Sequence, residues 1–220
     1  RNLSYFTNGA YTYLERYGFS ARARWDGSNL LGVKTNQKGT LLWSAGGSWE
    51  ISREKFYPFS ALPYFRIRAT YGKAGLIDKS QSQYPTVLFL NDTQTQLPYA
   101  SLVHPGNPSL RWEQVNTLNL AADWATTGQR ISGSLEWYTK SARNLLGNIL
   151  IDPTNGAGLN YKENYANMAV KGLDLQINSI NINREIKWES SLLFNYTRNK
   201  VTKYNTLVIP HITPFLNSTG

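Results

Sequence analysis

Hydrophobic and polar positions alternate along most of this 220-residue chain. The alternation is cleanest in residues 107–143, NPSLRWEQVNTLNLAADWATTGQRISGSLEWYTKSAR. There Leu118, Leu120, Ala122 and Trp124 are set against Thr117, Asn119, Ala121 and Asp123. After the turn ATTGQR, in which Gly128 is available for a positive φ, Ile131, Gly133, Leu135 and Trp137 are set against Ser132, Ser134, Glu136, Tyr138 and Lys140. Period two predicts a hairpin of two antiparallel strands, each with one apolar and one polar face. Aromatics stand near the strand ends, Trp112 and Trp124 in the first and Trp137 and Tyr138 in the second. Soluble strands usually run about 5–6 residues, whereas a tilted membrane-crossing strand needs about 9–11. The length of this alternation favours the membrane.

The same pattern predicts eight strands in four hairpins. Residues 3–14 alternate Leu3, Tyr5, Gly9, Tyr11 and Tyr13 with Ser4, Asn8 and Thr12. Residues 17–26 put Tyr17, Phe19, Ala21, Ala23 and Trp25 outward and Ser20, Arg22, Arg24 and Asp26 inward. Residues 41–52 set Leu41, Trp43, Ala45, Gly47, Trp49 and Ile51 against Ser44, Ser48 and Glu50; residues 64–74 set Phe65, Ile67, Ala69 and Tyr71 against Arg66, Arg68 and Thr70. Beyond the central hairpin come a strand over about 165–180 and another in which Trp188, Leu192, Phe194 and Tyr196 oppose Glu189, Ser191, Asn195 and Thr197. The remainder reads as connection. Residues 27–40 are polar and Gly-rich, REKFYPFSALP carries two prolines, 75–109 is the longest non-periodic interval, 144–164 contains DPTNGAG, and 201–220 is loop-like. Short or modest turns follow strands one, three, five and seven, and long loops follow the others, which is the asymmetry of outer-membrane barrels.

Composition adds little. The 14 Tyr and 7 Trp suit interfacial girdles or a sugar-binding β-protein equally. No apolar run approaches the roughly 18 residues of a membrane helix. Mean hydropathy of −0.42 is compatible with a barrel. With no Cys, a disulfide framework and a thiolate metal site are excluded. The net charge of +9 suits an acidic partner or, in a barrel, lumen and loop cations facing anionic headgroups or substrate. Arg1 replaces an initiating Met and no signal-like n-region precedes the first strand, so a mature or truncated piece is expected.

Six segments occur in the order found in one family. They are LSYFTNGAYTYLERYGFSARARWDGSNLLG, WSAGGSWEISREKF, FRIRATYGKAG, NPSLRWEQVNTLNLAAD, SGSLEWYTKSARNLL and NMAVKGLDLQINS. Together, over residues 3 to about 200, they resemble the barrel of SusC/RagA-type TonB-dependent outer-membrane transporters. Ala169, where the pattern usually has a more polar residue, and Asn144, where it often has Asp, depart from it. The resemblance implies an all-β fold: an antiparallel transmembrane β-barrel segment of about eight strands, in four hairpins, of a larger, about 22-stranded barrel. Residues 1–220 would be part of the barrel domain, without plug, TonB-box or C-terminal strand. It implies the outer membrane of a Gram-negative bacterium, with lipid around the barrel, a SusD-like surface lipoprotein, TonB acting through the absent N-terminal part, and a glycan or peptide substrate. Nucleic acid, a cofactor and enzymatic activity are not implied.

Candidate chemistry is one of binding. His104 and His211 are far apart and lack ligand spacing. Glu113, Glu136 and Glu189 sit on polar strand faces or ends and read as solvated residues rather than a glycosidase pair. Arg22, Arg24, Arg66 and Arg68 are the lumen- or plug-facing candidates; they serve plug contact and lumen hydration or attract an anionic ligand. Tyr84, Phe89, Tyr99 and Tyr161, expected in extracellular loops, stack on sugar rings or pack their own loops. Two rival architectures remain: a soluble carbohydrate-binding or glycoside-cleaving β-protein, and a small self-contained outer-membrane barrel, for which eight strands suffice.

Overall fold

The computed structural model describes residues 2–28, 39–76, 84–150 and 160–204. Ten strands lie among them: β1 (Asn2–Tyr13), β2 (Tyr17–Ser28), β3 (Gly39–Glu50), β4 (Tyr64–Leu76), β5 (Thr86–Asn91), β6 (Pro98–His104), β7 (Glu113–Ala125), β8 (Ile131–Leu150), β9 (Asn160–Asn183) and β10 (Lys187–Tyr204). Eight form one antiparallel sheet in the order β1-β2-β3-β4-β7-β8-β9-β10. Strands β5 and β6 pair only with each other.

Register fixes which residues share a face. Tyr5, Trp25 and Leu41 stand in line across β1, β2 and β3, as do Tyr13, Tyr17 and Trp49. Ile67, Ala122 and Leu135 continue that face, followed by Leu175 and Phe194. Side chains confirm it independently. A Cβ on Gly133 would lie 2.7 Å from the Trp124 ring, so these two share the apolar side. On the other side a Cβ on Gly172 would run into the Tyr138 ring, whose hydroxyl lies 2.9 Å from Thr197 Oγ1.

The apolar face carries two aromatic rows. Tyr13, Tyr17 and Trp49 stack in succession near the short turns, with ring centroids 6.5 and 6.3 Å apart. Nearer the long connections, Tyr5 meets Trp25 at 6.1 Å and Trp43 meets Tyr71 at 5.5 Å. Between the rows the face is aliphatic and bare: Ile131 and Leu135 keep 45% and 39% of their surface. No second layer of described residues covers them. Nor do β1 and β10 pair with each other, which removes the self-contained small barrel. The large sheet is therefore open, and its bare apolar side is bordered by two aromatic rows.

Several boundaries differ from the sequence reading. The third strand stops at Glu50, and Ile51–Arg53 is a short 3-10 turn. The interval 75–109 is not structureless, because it contains the β5–β6 hairpin. Residues 144–164 are mostly strand: β8 runs on to Leu150 and β9 begins at Asn160, past bulges at Ala142/Leu145 and Leu145/Leu146. Residues 201–204 extend β10, and the rest of the tail, including His211, lies outside the described residues, as does all of DPTNGAG. Trp112 lies ahead of β7 and is buried rather than bordering the apolar face.

Candidate functional site

The polar face is built from the inward residues of every strand of the large sheet. All four predicted arginines stand on it. The register sets Arg66 opposite Asp123 and Arg68 opposite Ala121, so two guanidiniums converge on one carboxylate. Arg68 grips it with both Nε (2.7 Å, Oδ2) and Nη2 (2.9 Å, Oδ1), while Arg66 donates to Oδ2 from Nε at 3.2 Å and Nη2 at 3.0 Å. Arg24 donates to Asp26 at 2.6 Å and weakly to Ser4 at 3.5 Å. Arg22 has no ion-pair or hydrogen-bond partner among the described residues. The cluster thus leaves excess positive charge in two shallow grooves on this face. One, of about 700 Å³, is lined by Phe6, Asn8, Arg22, Arg24, Leu42 and Asn119; the other, of about 750 Å³, contains Arg66, Arg68 and Asp123.

Cross-strand hydrogen-bonded pairs fill the rest. Asn119 donates to Glu136, Asn195 donates to Asp174, and Ser191 donates to Asn178 at 2.9 Å. Such cross-strand polar pairs satisfy one another while presenting spare acceptors and donors to water. Chemically this is a wettable binding wall with a cationic bias.

The rim with the short turns is laced together. The β1–β2 turn puts Leu14 and Glu15 at φ 51 and 54, a left-handed pair unfavourable for side chains of this kind. Ionic contacts to the next turn hold it: Arg53 donates to Glu15 at 2.5 Å and to Glu50 at 2.6 Å. Glu54 Oε1 accepts from Tyr17 OH at 2.6 Å and Trp49 Nε1 at 3.1 Å, and its Oε2 accepts from Arg16 at 3.2 Å. The Tyr17 hydrogen bond, then that of Trp49, holds the Glu54 carboxyl below the usual carboxylate range. Thr127 reaches Ser60 and Ala61 (3.0 and 3.2 Å), and Ile180 N–H donates to Arg130 O at 2.8 Å, joining the remaining turns.

At the opposite rim the segment NPSLRWE docks on the extended β8–β9 ribbon. Asn164 accepts from Arg111 N–H at 2.8 Å and donates to Arg111 O at 3.0 Å and Asn144 O at 2.6 Å. Glu113 accepts from Leu146 N–H at 2.7 Å, and Asn107 donates to Lys162 O at 3.1 Å. Leu110, fully buried, packs with Trp112 and Leu146 in the best-covered spot among the described residues. Sequence reasoning singled out none of these residues as functional. Their signal lay in the quoted segments themselves: ERYG with WEISREKF at one rim, NPSLRWE at the other.

The four aromatic candidates do not converge. Phe89 is on β5, 76% exposed, and Tyr99 is on β6 beside it, paired with Leu90. Tyr84 precedes β5 and is exposed. Tyr161 belongs to β9, paired with Ile149, rather than to a loop, and its side chain lies outside the described residues.

The family model for the TonB-dependent receptor-like β-barrel matches residues 1–216. Among curated proteins the chain is 28% identical over 210 residues to the TonB-dependent receptor SusC of Bacteroides thetaiotaomicron (91% of this chain, 21% of that protein). It is 27% identical over 205 residues to TonB-dependent receptor P26 of Formosa agariphila (90% and 20%). It therefore spans about a fifth of the length of the curated relatives it matches. Among solved structures, the RagAB peptide importer in its "closed-closed" state superposes with a TM-score of 0.84 at 22% identity, over 94% of this chain and 23% of that one. The siderophore receptor PirA from Pseudomonas aeruginosa gives 0.60 at 12% identity, over 91% and 36%.

Proposed function

Because the chain belongs to the TonB-dependent receptor-like β-barrel family, we propose that residues 1–220 form one section of the wall of an outer-membrane barrel that imports a nutrient. The bare apolar row between two aromatic borders carries this reading: that face meets acyl chains and the arginine-bearing face meets a wet lumen. The whole protein lies in the outer membrane of a Gram-negative bacterium, takes energy from TonB through a plug outside this section, and works with a SusD-like surface lipoprotein. Its cargo is an oligosaccharide or a peptide, and the likeness to the RagAB peptide importer supports the second.

Within this reading Arg22, Arg24, Arg66 and Arg68 contact the plug and the lumen water. Phe89 and Tyr99 stand with Tyr84 on the side from which cargo arrives, and Tyr161 lies on the same rim. The full-length protein should fractionate with detergent-solubilised outer membrane and run on gels in a heat-modifiable way. Recovery as a soluble monomer refutes the proposal. Uptake of labelled oligosaccharides against labelled peptides, in a strain lacking the gene, decides the cargo.

A further inference from the structure

The apolar face ends abruptly in cations. On β9 the outward row running from Ile182 to Leu173 spans about 23 Å along the barrel axis, at the usual strand rise and a tilt of roughly 40°. The next outward residue is Lys171, and the register places Arg198 directly opposite it on β10. Lys200 follows two positions further on the same side. Lys73 stands in the same relation to Tyr71 on β4. The side is certain, because Gly172 and Thr197, the neighbours of Lys171 and Arg198, both meet the inward Tyr138.

Two like charges opposite each other on adjacent strands, with Cβ atoms roughly 4.5–5.5 Å apart, destabilise a sheet unless an anion lies between them. No protein anion does. Among the described residues none of Lys171, Arg198 and Lys200 has an ion pair, and the outward rows up to these cations hold no Asp or Glu. Asp123, Glu136 and Asp174 point inward.

We propose that Lys171, Arg198 and Lys200 form a binding site for the phosphorylated headgroup of an outer-leaflet glycolipid. The proposal rests on the outer-membrane reading above. The headgroup phosphate sits between Lys171 and Arg198, one step beyond the aromatic border formed by Trp137 and Tyr196, while its acyl chains lie along Leu173, Leu175 and Phe194. The guanidinium and ammonium donors supply charge-assisted hydrogen bonds, and the headgroup relieves their mutual repulsion.

The test uses the full-length protein in nanodiscs of neutral phosphatidylcholine, titrated with lipid A and with its dephosphorylated form. Bound lipid is counted by native mass spectrometry. Each cation beside an anionic headgroup strengthens binding about fivefold. Wild type should therefore prefer lipid A strongly, and K171Q/R198Q/K200Q should lose roughly 100-fold of that affinity. K171R/R198K should retain it, and millimolar inorganic phosphate should not compete. Equal binding of the two lipids by wild type overturns the proposal without requiring any variant. So does unchanged lipid A affinity in an inserted, heat-modifiable triple variant, or effective competition by free phosphate. In all three outcomes the membrane reading stands. A wild-type protein that fails to enter nanodiscs overturns that reading and this proposal together.

Discussion

Placing an arginine at Leu135 separates a lipid-facing row from a water-facing one. Leu135 lies between Ile131 and Trp137 on the outward row of β8, and its register neighbours Ala122 and Leu175 offer no polar group. With 39% of its surface bare, nothing in the chain would shelter a guanidinium there. At the middle of a bilayer such a substitution costs about 2–4 kcal/mol. On a surface facing water it costs within about 0.5 kcal/mol. The adjacent Ser134 is the control, because it points to the polar face, where its register partners are Asp123 and Gln176. Both variants of the full-length protein would be refolded into phosphatidylcholine liposomes and unfolded in guanidinium, followed by tryptophan fluorescence. Leu135→Arg should lower the unfolding free energy by about 2–4 kcal/mol, and Ser134→Arg by under about 0.5 kcal/mol. Equal, small costs at both positions would refute the assignment of faces.

Three further outcomes follow from the rims. Glu54→Gln should weaken the turn network and flatten part of the pH profile. The folded carboxyl is held below its ordinary value, so its contribution is fully present above about pH 4.3 and fades as pH falls through the folded-state value. The wild-type advantage over Glu54→Gln in denaturant unfolding should therefore be constant near neutrality and shrink in acid. Asn164→Ala strands the Arg111 amide and two carbonyls. At roughly 1–3 kcal/mol for groups left without partners, amide exchange at Arg111 should accelerate about tenfold or more. Leu110→Ala empties the one fully buried apolar site among the described residues and should cost about 2–3 kcal/mol, read as faster tryptic cleavage after Arg111 with the sheet intact.

The parts of this fold legible in the sequence are those where one side meets apolar surroundings and the other water. In β1–β4, β7 and the first half of β8 each residue type states its side, and the predicted faces match the register. The β5–β6 hairpin escaped because Val87, Leu88, Phe89 and Leu90 run together, so no period separates its faces. The far ends of β8 and β9 escaped for another reason. Bulges around Ala142–Leu146 shift the phase, and Asn144 takes φ +57, so strand residues read as loop. The arginines were placed on the correct face, but nothing in their spacing showed that Asp123 would engage two of them. That pairing depends on a partner 57 residues away, fixed only by how β4 and β7 align. Glu54 and Asn164 were missed likewise, since each joins segments that periodicity treats separately.

The direct pairing of β4 with β7 has an evolutionary consequence. Everything between Leu76 and Glu113 is spliced into an otherwise continuous ribbon, and it is fastened where Asn107, Leu110 and Trp112 seat on the neighbouring strands. A different cassette between those fixed ends would leave every rung of the large sheet untouched. Selection can therefore exchange this insert while the scaffold beneath stays unchanged.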